Sequence, residues 1–437
     1  VTERSAVVSR WGQAALAALI LVFLWLAVAP AVVGSKVVLA TAGGSPDWLI
    51  GVYRVFGAEF LAGSHAWAYY LPLMLSALLW AVVVWLAPKL RASWLLWSVV
   101  GLHLAFFLAP PLLSQDVFSY IAYARLGVEH GLNPYASRPF DIPGDPVFGF
   151  AGSKDAVDVY GPFFTLISYP LAWVSVAVAF WSLKVVALAS SLGLVFLVRS
   201  IAQKVNADSA RAIAIVGLSP ATLVHVVGGA HNEALTMLIV FAGIAFALSR
   251  DDGSREAGGG FISALAIGVK ASAAVPLVFM LAAAQRKLAM FLAMAGAAVL
   301  TVLTGLIAFG SDALNGLNLI SSNQDRSSRW SLPHRTVDGI DAIFGVDRGV
   351  ATDVVRVVFV IALAAVVIYL IWRSYKQPDT WLANAGWATF GVLLASAWLV
   401  PWYLLWLLPF AALGKCRGLQ IATIVLTAYT LVIAIPF

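Results

Sequence analysis

Residues 93–135 read SWLLWSVVGLHLAFFLAPPLLSQDVFSYIAYARLGVEHGLNPY. The first part, 93–113, carries no charged side chain. A helix needs roughly 17–25 predominantly apolar residues to cross a bilayer, and this block suffices. It closes on Pro110-Pro111, and a polar, aromatic-rich segment beginning near Asp116 follows at once. An uncharged block running straight into such a segment marks a membrane helix emerging at an interface.

Working outward, the same kind of block recurs along the whole chain. Of 437 residues, 62% are hydrophobic and 11% charged, and the mean hydropathy is +0.92. Soluble domains carry about 25% charged and about 45–50% apolar residues, so a soluble globular enzyme is excluded, as is a disordered chain. The blocks lack the alternation of a transmembrane barrel. The expected fold is an all-α polytopic membrane protein with about 13 hydrophobic segments. Its one cysteine, Cys416, lies in the turn GKCRG and is expected to be a cytoplasmic thiol. A disulfide framework, an iron–sulfur cluster and a cysteine zinc site are thereby excluded.

Charge sets the expected topology. The net charge of +6 comes with no basic amphipathic face and no nucleic-acid motif, so no nucleic-acid partner is expected. With the loops assigned below, about 15 of the 27 Lys/Arg but only about 6 of the 21 Asp/Glu fall inside, a positive-inside bias. Spans are expected at 11–33, 69–87 and 93–113, placing the first large loop, 114–160, outside with a short helix from Asp116 to about His130. A cleaved signal peptide is the alternative for the first block, because Ala29-Pro30-Ala31 resembles a cleavage site. Block 161–178 is apolar, but counting it as a span would put the basic stretch 199–211 outside, so it is read as an interfacial helix. Further spans are expected at 180–198, 210–227 and 232–249, then a Gly-rich, charged cytoplasmic loop at 250–260. Segment 261–284 is too short for two spans and has charged residues at both ends. It is read as two half-length helices meeting near Lys270, a break tolerated where it lines a cavity. Span 288–309 leads to a second large outer loop, 310–350, followed by segments at 352–372, 383–400, 402–413 and 419–437.

Two large loops on one side suggest an enzyme rather than a channel, since transport pathways more often place ionisable groups inside spans. Asp116 sits where a span meets the interface, and there its pKa could suit a general base; capping of a helix by Ser114 or Asp116 is the plain alternative. In SSNQDRSSRWSLPHRT (321–336), Arg326, Arg329, His334 and Arg335 are candidates for an anionic group, as is Lys270, which is costly in an apolar stretch unless paired or hydrated. Lys184 is read as snorkelling to the outer interface. His231, Asn232 and Glu233 stand at a helix start, with capping and sugar binding both open; their spacing gives no zinc motif. Asp158, Tyr120 and Tyr160 are candidates for sugar contact, as are Trp402 and Tyr403 beside Trp398, although aromatic belts favour the same positions. Asp141, Asp145 and Asp155 are read as loop or turn residues.

Three segments, DVFSYIAYARLGVEHGLNPY (116–135), DVYGPFFTLISYPLAW (158–173) and GGAHNEALTML (228–238), together resemble the bacterial GT-C membrane glycosyltransferases. The likeness is greatest to the actinobacterial polyprenyl-phosphomannose-dependent alpha-1,6-mannosyltransferases of lipomannan assembly, and it runs from about residue 93 to the C-terminus. It implies a catalytic membrane domain at 93–437, preceded at 1–92 by additional spans. By the same resemblance, Asp116 is the carboxylate that activates the acceptor, and the donor is mannosyl phosphoryl polyprenol, used with inversion at the anomeric carbon. The acceptor is a glycolipid or oligomannoside on the extracytoplasmic face of the plasma membrane. The leaving phosphate is a stable anion, so no cofactor is expected, while a divalent cation stays open. Arabinofuranosyl or other glycosyl transfer is the alternative within the class, and a lipid-linked substrate transporter or flippase is the alternative outside it.

Overall fold

The computed structural model describes residues 2–29, 67–249, 253–315 and 328–433, and every regular element among them is helical. In chain order these include α1 (Thr2–Val28), α2 (Trp67–Leu86), α3 (Ala92–Leu108), α4 (Asp116–Val128), α5 (Pro162–Ser168), α6 (Val176–Lys204), α7 (Ser209–Gly217) and α8 (Glu233–Ala247). The second half comprises α9 (Gly253–Leu265), α10 (Ala274–Ala283), α11 (Lys287–Phe309), α12 (Leu332–Phe344), α13 (Arg348–Lys376), α14 (Trp381–Ala395), α15 (Leu408–Leu413) and α16 (Arg417–Ile433).

Among the described residues five helices are long and apolar enough to cross a membrane: α1, α2, α6, α11 and α13, with α7 and the π-helical turn Ala221–Val227 forming a sixth that bends by 43°. The shorter apolar helices include α3, α8 and α16. Residues 161–178 form no crossing helix: α5 has seven residues and gives way to a 3-10 turn at Tyr169–Trp173. Pro170 and the extended backbone at Val174 and Ser175 interrupt the chain before the Ser175 hydroxyl caps α6, accepting from the Val178 N–H at 3.3 Å. Segment 261–284 is broken as expected, with 3-10 turns on either side of Lys270, whose own backbone is extended. The expected loop at 250–260 is corrected: α9 already starts at Gly253, and Gly259 is enclosed against Gly243 and Ala247 of α8. Those glycines serve close helix packing rather than a turn. Within 310–350, α12 occupies much of 328–350, while residues 30–66, between the first two expected spans, lie outside the described residues.

One large apolar core joins α1, α2, α3, α6, α7, α8 and parts of α9, α10, α11, α13, α14, α15 and α16. Trp80 of α2 donates its indole N–H to the Ala214 carbonyl of α7 at 2.8 Å, so the N-terminal helices share that core. A smaller core lies around α4, where Phe118, Ile121, Phe164 and Phe180 pack with Val147 and Ala151 of the long outer segment. The candidate site forms between these two cores.

Candidate active site

Asp116 is the first residue of α4. Gln115 occupies the N-cap position, and the Ser114 hydroxyl accepts the Asp116 N–H at 3.2 Å. Of the Asp116 side chain, 31% is accessible. Its Oδ2 lies 3.5 Å from His231 Nδ1, and the same nitrogen lies 3.8 Å from Glu233 Oε2. Glu233 is buried and paired with Lys270 Nζ, which also donates to Asn232 Oδ1 at 3.4 Å. Asn232 stands at the start of α8 without a side-chain capping bond, so it too faces the cluster.

Aromatic rings wall this group in. Trp402 stacks on His231 at 4.1 Å between centroids, 20° from parallel. The Lys270 ammonium lies 5.4, 5.3 and 5.9 Å from the ring centres of Tyr160, Tyr403 and Trp406, in reach of their π-faces. Tyr120 meets Tyr160 edge-on at 4.9 Å, and Phe164 closes the same corner. Both ring nitrogens of His231, both of His225 and Asn232 Nδ2 are buried with no hydrogen-bond partner among the described residues. Each such atom costs about 1–3 kcal/mol when left unmade. Their concentration beside one accessible carboxylate marks a place for polar ligand groups or ordered water.

The supports are local. Lys184 lies fully buried and donates to the carbonyls of Phe106, Ala109 and Gly228 at 2.7, 2.9 and 3.2 Å, so the snorkelling expectation is corrected. It ties the end of α3, which leads to Asp116, to the turn that leads to His231. Leu113 and Ala230, in the short connections before these two residues, have φ of +59° and +55°, the left-handed region that side chains avoid and that recurs at functional sites. Lys270 is placed by a close backbone approach. The Gly161 N–H donates to the Val269 carbonyl at 3.0 Å, and a Cβ on Gly161 would lie 2.3 Å from the Gly268 carbonyl oxygen. Only glycine lets the loop bearing Tyr160 dock on the broken helix.

Other expected residues are placed differently. Asp158 is buried one layer away, where it accepts from the Tyr160 N–H at 2.9 Å and Thr165 Oγ1 at 2.8 Å. Burial pushes its carboxyl up to about 7, against those two hydrogen bonds. It shapes the loop rather than facing the cluster. Asp145 is not a solvated turn residue: Arg125 and His130 grip it, each at 2.8 Å. Arg326 lies outside the described residues. Arg335 pairs with Asp338 at 3.0 Å and, like Arg329, lies over the Trp330 ring. His334, by contrast, lines a cavity of about 580 Å³ together with Arg348, Arg356, Trp398 and Tyr403, between α12, α13 and α14. Tyr403 belongs to both this cavity and the wall around Lys270. His225, Trp406, Arg348 and Arg356 escape the sequence reading. Only the two arginines carried a signal, as cations next to or inside an apolar block. Among the described residues no three His, Cys, Asp or Glu side chains gather as metal ligands.

A family model described as alpha-(1->6)-mannopyranosyltransferase, N-terminal domain, matches residues 25–286, and one described as MptB C-terminal domain matches residues 336–437. Alpha-(1->6)-mannopyranosyltransferase A of Mycobacterium tuberculosis is 26% identical over 380 residues, covering 81% of this chain and 68% of that protein. The protein of the same name from Corynebacterium glutamicum is 25% identical over 350 residues, 70% of each chain. Alpha-(1->6)-mannopyranosyltransferase B of Corynebacterium glutamicum is 22% identical over 359 residues, 72% of this chain and 58% of that one. No solved structure matches. These matches bear out the resemblance read from residues 116–135, 158–173 and 228–238. The first family model spans more than half of the sequence and includes Asp116, His231, Glu233 and Lys270, and the chain therefore belongs to the alpha-(1->6)-mannopyranosyltransferase family.

Proposed function

We propose that the chain transfers mannose from a polyprenyl-phosphate donor to a sugar hydroxyl of a lipomannan-type acceptor, forming an alpha-1,6 linkage with inversion at the extracytoplasmic face. The observation that carries this reading is an accessible carboxylate, Asp116, beside buried and unpartnered polar groups walled by Trp402, Tyr403 and Tyr160. Asp116 takes the proton of the acceptor hydroxyl; the freed oxygen bonds to the anomeric carbon; the bond from that carbon to the phosphate oxygen breaks, and its electron pair leaves with the phosphate. Aromatic rings suit the apolar faces of sugars, and Asn232 and His231 offer hydrogen bonds at their edges.

The leaving phosphate needs cations where charge develops. Lys270 is already neutralised by Glu233, so it contributes as one half of a pair. The cavity lined by His334, Arg348 and Arg356 adds basic groups, of which Arg348 is paired with Asp338 and Asp341 at 2.7 and 3.0 Å, and Val355, Phe359 and Leu363 give it an apolar wall suited to a prenyl chain. These basic groups offset the charge that develops on the phosphate, and this reading assigns no step to a metal. Placing residues 114–160 and 310–350 outside and 199–211 inside follows the positive-inside bias.

The deciding experiment is a transfer assay with purified protein, labelled polyprenyl-phosphate sugars and a panel of acceptors. Mannosyl transfer to an alpha-mannoside acceptor is expected; transfer of pentofuranose alone, or donor movement across vesicles without transfer, overturns the reading. Sidedness is tested separately by labelling Lys204→Cys in intact cells: reaction with an impermeant reagent from outside contradicts the assigned topology.

A further inference from the structure

A second cavity system lies at the far end of the bundle. The Phe309 carbonyl at the end of α11 accepts from Asn133 of the outer segment at 2.7 Å. The helix begins at Lys287 and is 23 residues long, so its ends are about 33 Å apart. At the Lys287 end a cleft of about 810 Å³ is lined by Lys204, Lys287 and Lys415 together with Glu256 and Asp379. On the other side of Lys287 a groove of about 680 Å³ runs between α10, α11 and α13, walled by Leu281, Leu288, Phe291, Ile368, Ile371 and Trp372. Lys287 lines both.

The charges here are unbalanced. Lys287 of α11 and Lys376 of α13 place their ammonium groups 5.1 and 5.6 Å from the centre of one ring, Tyr375. Neither makes an ion pair among the described residues; Lys287 donates to the Ala284 carbonyl at 2.7 Å, and Arg373 lies in the same last turn of α13. Of the two acids in the cleft, Glu256 is occupied, its carboxylate accepting the N–H groups of Gln285 and Arg286 at 2.8 and 3.0 Å. Two ammonium groups against one ring leave a local excess of positive charge that an anion would offset. The groove that continues from Lys287 is apolar, and Trp372 and Tyr375 are the ring types that settle at headgroup level.

We propose that this end of the molecule binds an anionic phospholipid, its phosphate between Lys287 and Lys376 and one acyl chain along the groove. A free anion would leave the groove unfilled, and a zwitterionic headgroup would bring its own cation into a basic site. The site is separate from the Asp116 cluster and does not depend on the transfer reaction assigned there.

Native mass spectrometry of the full-length protein tests it, titrating phosphatidylglycerol, phosphatidylcholine of the same acyl chains, and inorganic phosphate. Phosphatidylglycerol is expected to be retained about tenfold more tightly than phosphatidylcholine. Lys287→Gln with Lys376→Gln should remove that preference, and Lys287→Arg with Lys376→Arg should keep it. Ala282→Trp, which fills the groove, should weaken both lipids. Equal retention of the two lipids by the wild-type protein overturns the proposal, and so does an undiminished preference in the glutamine variant. Displacement of phosphatidylglycerol by equimolar inorganic phosphate, or unchanged lipid binding by Ala282→Trp, also overturns it.

Discussion

Two aspartates of segment 114–160 show opposite ways of keeping a carboxylate inside a protein. Around Asp145 every bond is made: Arg125 Nε donates to both oxygens at 2.8 and 2.9 Å, His130 adds a third contact at 2.8 Å, and the Val147 N–H donates at 2.9 Å. Asp116 is 31% accessible, with His231 Nδ1 at 3.5 Å and buried nitrogens without hydrogen-bond partners behind it. A carboxylate enclosed by its partners holds a loop in shape. An accessible one can be reached by a hydroxyl. Which of the two does chemistry is decided by what surrounds them, since the residue type and the segment are shared.

The largest effect expected from breaking this contrast is at Asp116. Asp116→Asn keeps the shape but cannot accept a proton at neutral pH, so turnover should fall on the order of 10²–10⁴-fold, with little change in thermal stability. Kinetics and melting curves on the same preparation check both halves, and a folded variant with normal turnover removes Asp116 from the chemistry. At Asp145 the consequences should reverse. Asp145→Asn removes the anion from a buried pair and should cost about 3 kcal/mol of stability, while the fraction that stays folded transfers sugar normally. Burial alone would raise the Asp145 carboxyl, but bonds from Arg125, His130 and Val147 outweigh it and hold it below the usual carboxylate range. Its stabilisation is therefore present above pH 4 and lost as pH falls through the lowered value, and an acid melt of the wild-type protein against Asp145→Asn reads that difference.

Lys184 is the cationic counterpart of Asp145, with three carbonyl partners and no carboxylate. Lys184→Met leaves those oxygens without their donor and should cost about 2 kcal/mol, measured by chemical denaturation, with Lys184→Arg recovering part of the loss. Asp158 lies between the two extremes, hydrogen-bonded but with no cation. Its carboxyl is raised to about 7, chiefly by burial, while the unfolded chain ionises near 4. Its contribution therefore favours folding below about pH 4 and is lost as pH rises toward 7. The slope is on the order of 1 kcal/mol per pH unit at most, and Asp158→Asn should flatten the stability profile over that window.

Much of this was legible in the sequence, for identifiable reasons. The break at Lys270 was, because a charge in an apolar run too short for two spans has few solutions. The helix starting at Asp116 was legible from its periodicity. The convergence of Asp116, His231, Asn232, Glu233, Lys270, Trp402 and Tyr403 needed the fold, since these residues come from four distant segments. Lys184 was misread because an interfacial lysine and one bound by carbonyls have the same local sequence; the partners at Phe106 and Gly228 lie far along the chain. Asp145 was misread for the same reason, its arginine coming from a different element. The start of α9 was missed because glycine reads as loop, whereas here it permits close packing against α8.

Helix α13 carries one wall of the cavity that holds His334 and Arg356. Only 11% of its most apolar window is buried by protein, and Val357, Val358, Ile361 and Ile368 all face outward. Its uncharged stretch, residues 357–372, extends about 24 Å, against a hydrocarbon core of about 30 Å. The surrounding bilayer must therefore thin around it, or Arg356 and Arg373 at its ends must reach toward the interfaces. Membrane thickness thus becomes a mechanical input to the cavity beside Arg356. Reconstitution into lipids of graded acyl length would vary that input, read as a change in transfer rate with bilayer thickness.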